Sequence, residues 1–385
     1  MVTAVDLFQK RILMFHNGQT TVRKMQQETL KIIDSYVPSS KPLTKEQENV
    51  VIDILRHRNN YLEQIYKEYM LKNNSPLTEE HKNIIYNFGE YLKNKNINPK
   101  VMRILKKIKT EGELKVFIMS FNSIISRFER FHSICDEAII NRKGKGFPLE
   151  YEQLIFQKRR TIHDCTLELL KMITKPSENP IVCKIESILK NKFGVETALL
   201  NDDITVAKRI LKSVKKLKEN NIPIPKRYIV SDYIVGGRCI PNGAEPTIIL
   251  SSARKKPDIL KIFKSIKEEF KKPDNDWIKK ENILISKWEK QYGWKQNSST
   301  AAEEHIETHE AIHTTHPSTF AFEFQKIPNI FSKTIKKISA YATQKDFSSA
   351  EIYAELKTKS LYCKLEPDEQ LLLERYEGRS RKKLL

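Results

Sequence analysis

Four of the nine histidines fall within one polar stretch, Glu303–His316. Inside it, His309, Glu310 and His313 form the pattern H-E-x-x-H. On a helix, residues i and i+4 project from one face, so the two imidazoles can share one zinc ion. Glu310 then points beside that face, where a carboxylate can take a proton from a water activated by the metal. The spacing therefore predicts a zinc site with a general base.

Only three positions of the motif are fixed, and a His-rich polar stretch can produce them by chance, so a solvated helix surface is the alternative interpretation. A catalytic zinc also needs a third protein ligand. Glu351 and Glu355 offer two carboxylates at i and i+4 of a later helical pattern, for which an exposed helix face is again the alternative. The remaining histidines of the stretch, His305 and His316, are interpreted as surface groups or as supports for a ligand, with a role as alternative ligands less favoured.

The order of these elements resembles the catalytic domain of the anthrax lethal factor family of zincin metallopeptidases. The resemblance rests on the H-E-x-x-H motif, on a Ser-x-Tyr-Ala element at Ser339–Ala342, and on an A-E-x-x-A-E pattern at Ala350–Glu355. It covers roughly residues 226–385, and the helical part in front of them resembles no family. The resemblance implies a zinc-dependent endopeptidase that cleaves a protein substrate.

The resemblance also implies roles for single residues. His309, His313 and Glu351 correspond to the zinc ligands of the family, and Glu310 corresponds to its general base. Tyr341 corresponds to the tyrosine that faces the metal-bound water or the substrate carbonyl.

The resemblance extends to groups around the ligands. Glu355 corresponds to the second carboxylate of its helix, which supports a ligand, and His316 is grouped with it in that role. The run after Pro246 resembles the edge strand that precedes H-E-x-x-H, where a substrate binds in extended form by β-augmentation. The residues expected to bind substrate in this way are Thr247, Ile248, Ile249 and Leu250.

The composition favours a mainly helical protein around this site. The 385 residues include only 11 Gly and 16 Pro, fewer than a protein with many tight turns between strands would need. The predicted fold class is α+β, mainly α. We expect an all-helical domain at residues 1–175, for targeting or substrate docking, a helical connector at 176–225, and a zincin-like domain with a small sheet at 226–385.

Amphipathic periodicity predicts five helices in the first domain: Thr44–Tyr69, Glu79–Leu92, Val101–Ile108, Leu114–Ile140 and Leu149–Ile173. Two β-prone runs, Tyr228–Val235 and Thr247–Leu250, flank the turn-rich segment Gly236–Gly243 and predict a small sheet. Helical patterns return at Pro257–Phe270 and Asp276–Tyr292.

The chain carries 68 Lys+Arg against 48 Asp+Glu, a net charge of +20. These cations are spread over many helix faces, which is typical of a solvated surface, so no specific nucleic-acid partner is expected. The alternative is a non-enzymatic basic binding protein for nucleic acid, an anionic membrane or an acidic protein. No stretch reaches the length of a membrane span.

Five scattered cysteines without a C-x-x-C pair predict buried, reduced thiols. No secretory signal peptide is recognisable at the N-terminus. Because relatives in the zincin family named above are commonly toxins or effectors, the resemblance implies a bacterial effector that is secreted without a classical signal peptide. It would then cleave a host protein in the host cytoplasm.

Overall fold

The computed structural model describes residues 67, 70–71, 74–141, 149–234, 237–240, 246–253, 299–315, 329–339, 342 and 349–378. Met70–Lys255 and Ser298–Leu385 form one compact unit. The other unit, Met1–Tyr69 with Lys256–Asn297, lies outside the described residues except for Lys67. The helices predicted over Thr44–Tyr69, Pro257–Phe270 and Asp276–Tyr292 therefore lie outside the described residues, apart from Lys67.

The first described layer is helical, as predicted. A capping box starts its third helix, where the Thr110 side chain accepts from the backbone N–H of Glu113. The single helix predicted over Leu114–Ile140 is two helices, because Arg130 adopts a φ of 53° between them. The five helices of this layer are α1 (Glu79–Asn94), α2 (Pro99–Leu105), α3 (Glu111–Phe128), α4 (Phe131–Asn141) and α5 (Leu149–Ile173).

A small mixed sheet follows, which confirms the predicted α+β, mainly helical class. Its strands are β1 (Thr197–Leu199), β2 (Arg227–Ser231), β3 (Gly237–Ile240) and β4 (Thr247–Ser251). The spatial order is β1-β2-β4-β3, with β1, β2 and β4 parallel and β3 antiparallel to β4. The predicted edge strand at Thr247–Leu250 is thus wrong in its position, because β4 pairs with a strand on each side.

Helices cover both faces of the sheet. On one face, Ile229, Ile240 and Ile249 join the core of the first helical layer. On the other face, Tyr228 and Ile248 pack against two further helices, α6 (Pro180–Phe193) and α7 (Ile204–Glu219). Strands β2 and β4 are buried on both faces, which explains their continuous apolar runs.

The division into functional units at residues 1–175, 176–225 and 226–385 stays a prediction. In space the ranges are not separate, because the first helical layer and the sheet share one hydrophobic core. The predicted helical connector supplies strand β1 as well as α6 and α7.

A third core holds the C-terminal helices together with Leu217 of α7. These elements are α8 (His305–Ile312), a 3₁₀ turn at Asn329–Phe331, α9 (Ser332–Ile338), α10 (Ser349–Tyr362) and α11 (Pro367–Tyr376). Among the described residues, no helix combines the length and apolar character that crossing a membrane requires.

All five cysteines lie in the described part of the chain, and none forms a disulfide. Cys165 is buried as predicted, but Cys363 is exposed. The prediction that all five cysteines are buried is therefore wrong.

Candidate metal centre

Helix α8 carries the H-E-x-x-H motif and is buried along most of its length. An eight-residue helix has little stability of its own, so contacts with α7 and α10 must hold it. Glu307 pairs with Nε of Arg209 in α7 at 2.8 Å. Oγ1 of Thr308 lies 2.9 Å from Oγ of Ser213 in α7 and 2.9 Å from the hydroxyl of Tyr362 in α10. These polar contacts fix the rotation of α8 about its axis.

That rotation brings the two motif histidines to the third predicted ligand. Nε2 of His309 lies 3.1 Å from Nε2 of His313, and Oε2 of Glu351 lies 3.2 and 3.4 Å from these two nitrogens. A tetrahedral zinc site with bonds of about 2.0–2.1 Å places its ligand atoms about 3.3 Å apart. The three side chains therefore form a group that could hold a metal ion, and their donor set of two nitrogens and one oxygen suits zinc.

The electrostatics of this group favour a cation at its centre. Burial acts to raise the pKa of Glu351, but the contacts with His309 and His313 outweigh it and hold that pKa far below its usual range. For His309, burial acts to lower the pKa, yet the hydrogen bonds to Glu351 and Glu355 raise it well above the ordinary value. Two carboxylates thus stabilise positive charge on this imidazole, which a bound metal ion can supply in place of a proton.

Glu355 contacts the other nitrogen of the same ring. Its Oε1 lies 2.9 Å from Nδ1 of His309 and 2.9 Å from Nε2 of His305. Its Oε2 accepts a hydrogen bond from the backbone N–H of Ser299 at 2.8 Å. A carboxylate that binds Nδ1 fixes both the orientation and the tautomer of a metal-ligating imidazole. The geometry fits the supporting role predicted for Glu355.

Glu310 points from α8 toward strand β3 and is also buried. The strand approaches so closely that a Cβ added to Gly237 would lie 2.7 Å from Cγ and 2.8 Å from Oε1 of Glu310. Burial raises the pKa of this carboxyl, although His313 and His309 act against the shift. A raised pKa suits a group that must first accept a proton and then release it.

The sequence alone did not mark several residues that lie next to the site. Gly237 was interpreted only as part of a turn, and nothing local marked Ser299 or Thr300. His305, four residues before His309, is predicted as a surface group or as a support for a ligand. The structure buries it, which excludes the surface position.

Two predicted site residues, Tyr341 and His316, lie outside the described residues. Thr247–Leu250 form the interior strand β4, so their backbone groups are paired on both sides and are not open to a substrate strand. The predicted substrate-binding role of this run is wrong for that reason. In the described residues, the strand at that end of the sheet is β3.

The chain has no match among protein-family models, curated proteins or solved structures.

Proposed function

We propose that the protein is a zinc-dependent endopeptidase. The observation that carries this proposal is the triangle of His309, His313 and Glu351 ligand atoms, with sides of 3.1–3.4 Å. Glu310 lies on the same helix, beside this triangle, and faces the end strand of a mixed sheet. A three-ligand site with a neighbouring carboxylate is the arrangement that metal-assisted hydrolysis requires.

Each residue then has a defined task. Zinc, when bound, supplies a Lewis acid that lowers the pKa of water toward neutrality and polarises a scissile carbonyl. Glu310 takes the proton of the attacking water and returns it to the leaving amine. Glu355 holds His309 in the orientation of a ligand. Tyr341, which is outside the described residues, is proposed to stabilise the oxyanion.

Strand β3 replaces β4 as the proposed docking site of the substrate backbone. In the described part of the sheet it pairs with β4 along one side only. Its first residue, Gly237, contacts the Glu310 side chain, so a peptide added to β3 would pass next to the general base. Main-chain pairing of this kind binds extended peptides with little dependence on sequence.

The basic surface of the protein is proposed to contribute to substrate selection. Along α7, the side chains of Lys208, Lys212, Lys215 and Lys218 are exposed. An acidic protein surface is their natural electrostatic complement. A host cytosolic protein as the substrate, and secretion without a classical signal peptide, remain proposals that rest on the family resemblance alone.

The test combines metal content with cleavage. Purified wild type should contain about one zinc per chain and should create new N-termini in a cell lysate, detected by mass spectrometry. Glu310→Gln should keep the zinc and lose cleavage, and His309→Ala should lose both. Glu303→Gln changes an exposed glutamate just before α8 and serves as the matched control, with both properties unchanged. Wild type without stoichiometric zinc, or cleavage that survives Glu310→Gln, would refute the proposal.

A further inference from the structure

A chain of buried polar side chains continues behind the ligand His309. Glu355 binds Nδ1 of His309, and the same carboxylate oxygen lies 2.9 Å from Nε2 of His305. Nδ1 of His305 lies 3.0 Å from the hydroxyl of Thr300. All four side chains are at most 8% exposed. The loop before α8 is thus connected to the metal group through two imidazoles and one carboxylate.

The donors and acceptors along this chain fit one assignment of protons. Oε2 of Glu355 already accepts from the backbone of Ser299, so Oε1 is the acceptor for both imidazoles, and Nε2 of His305 must donate. Nδ1 of a neutral His305 then accepts, and the Thr300 hydroxyl donates to it. The Thr300 oxygen is still able to accept from the backbone N–H of Ala302 at 3.2 Å. In this assignment the polar side-chain atoms of Thr300 and His305 are hydrogen-bonded, and Glu355 links them to His309 through an ion pair.

We propose that His305 is a positioning residue for the metal centre, acting through Glu355, with Thr300 fixing its tautomer. This inference rests on the proposed metal site. A carboxylate that supports a ligand works only if it is itself held in place, and such outer hydrogen bonds typically change metal affinity by about 10–100-fold. Without a donor at His305, Oε1 of Glu355 loses one of its two partners and the orientation of His309 becomes less restricted.

The same three residues, His305, His309 and Glu355, also lie close enough to form a second metal site. Direct pairing is the better explanation, because Nε2 of His305 is hydrogen-bonded to Oε1 of Glu355 at 2.9 Å and Nδ1 of His309 forms an ion pair with the same oxygen at 2.9 Å. A second ion would also require His309 to give up its Nδ1 proton while Nε2 binds the first ion. The proposal therefore fixes the metal content at one ion per chain.

The test measures zinc affinity by competition with a chromophoric chelator, using the full chain. His305→Leu removes the donor and should weaken zinc binding by about 10–100-fold. His305→Gln places an amide N–H near the former Nε2 and should stay within about threefold of wild type. Thr300→Val should weaken binding in the same direction, and Thr300→Ser should not. If His305→Leu does not fold, the zinc affinities of Thr300→Val and Thr300→Ser test the proposal, and equal affinities would contradict it.

The visible spectrum of the Co²⁺-substituted protein separates positioning from a general loss of structure. His305→Leu should shift the ligand-field bands, because the ligand geometry changes, whereas His305→Gln should keep the wild-type spectrum. Unchanged affinity and spectrum in His305→Leu, or two zinc ions per wild-type chain, would overturn the proposal. Failure of the wild type to bind any zinc would overturn the proposed function as well, so the two failures are distinguishable.

Discussion

The contact between Gly237 and Glu310 predicts that a single methyl group on strand β3 disables the proposed general base. A Cβ at Gly237 would lie 2.7 Å from Cγ, 2.8 Å from Oε1 and 3.0 Å from the carboxyl carbon of Glu310. Carbon atoms in contact prefer about 3.5–4.0 Å, so one partner must move by roughly 1 Å. The Glu310 side chain should be the one that moves, because β3 is held by its pairing with β4.

The magnitude follows from that displacement. Misplacing a reacting group by about 1 Å costs on the order of 100-fold in rate, which is about 2.7 kcal/mol of transition-state stabilisation. Overpacking itself costs about 1–3 kcal/mol of folding stability. Gly237→Ala should therefore fold with a lowered melting temperature, keep its zinc, and lose about 100-fold in kcat/KM. The zinc should be retained because the three atoms nearest to the added Cβ all belong to Glu310, which is not one of the proposed ligands.

The assay follows cleavage of a quenched fluorescent peptide mixture by wild type and Gly237→Ala, with zinc content and thermal unfolding measured on the same samples. Gly89→Ala in α1 is the matched control, because its new Cβ would make only ordinary contacts at 3.4 and 3.7 Å. In a helix this exchange should be neutral or slightly stabilising. A Gly237→Ala protein that keeps full zinc and wild-type kcat/KM would refute the idea that this close approach positions Glu310.

Three further outcomes are expected. Glu351→Gln should raise the Kd for zinc by more than about 100-fold in chelator competition, since a true ligand contributes more than a supporting residue. Arg209→Met should lower the free energy of unfolding in urea by about 3 kcal/mol, because Glu307 is left buried without its partner. Lys212→Met breaks an exposed pair and should leave the urea midpoint nearly unchanged. Burial lowers the pKa of His163 to about 3, so the folded protein binds fewer protons at this ring than the unfolded protein does. The free energy of unfolding, measured relative to His163→Asn, should therefore fall by up to about 1.4 kcal/mol per pH unit as the pH drops from 6 to 4.

The spacing of the motif residues predicted which imidazoles lie together, for a physical reason. The relative position of His309 and His313 depends only on local helix geometry, which can be predicted from their spacing of four residues. Glu351 was placed by the order of motifs in the family resemblance, and the structure brings it within 3.4 Å of both imidazole nitrogens. Zinc and peptidase activity stay predictions, and the geometry shows a group of side chains that could hold a metal ion.

The order of strands was the part of the fold that local patterns could not give. β1 has three residues, Thr197–Leu199, too few for a periodic signal. β3 begins with Gly237 after another glycine, so it was interpreted as a turn. The run Thr247–Leu250 is apolar apart from its first residue, which is typical of an interior parallel strand. The edge position of this run was implied by the family resemblance alone, and the pairing of β4 on both sides contradicts it.

The burial of polar groups on α8 argues that this helix is more than part of a core. Its eight residues include two imidazoles and two carboxylates that are at most 9% exposed, namely His305, His309, Glu307 and Glu310. Burying such groups is costly unless each finds a partner, and an apolar helix would stabilise the same contacts with α7 and α10 at least as well. Concentrations of this kind mark functional sites, and the solvated surface that was the alternative interpretation of the His-rich stretch does not account for their burial.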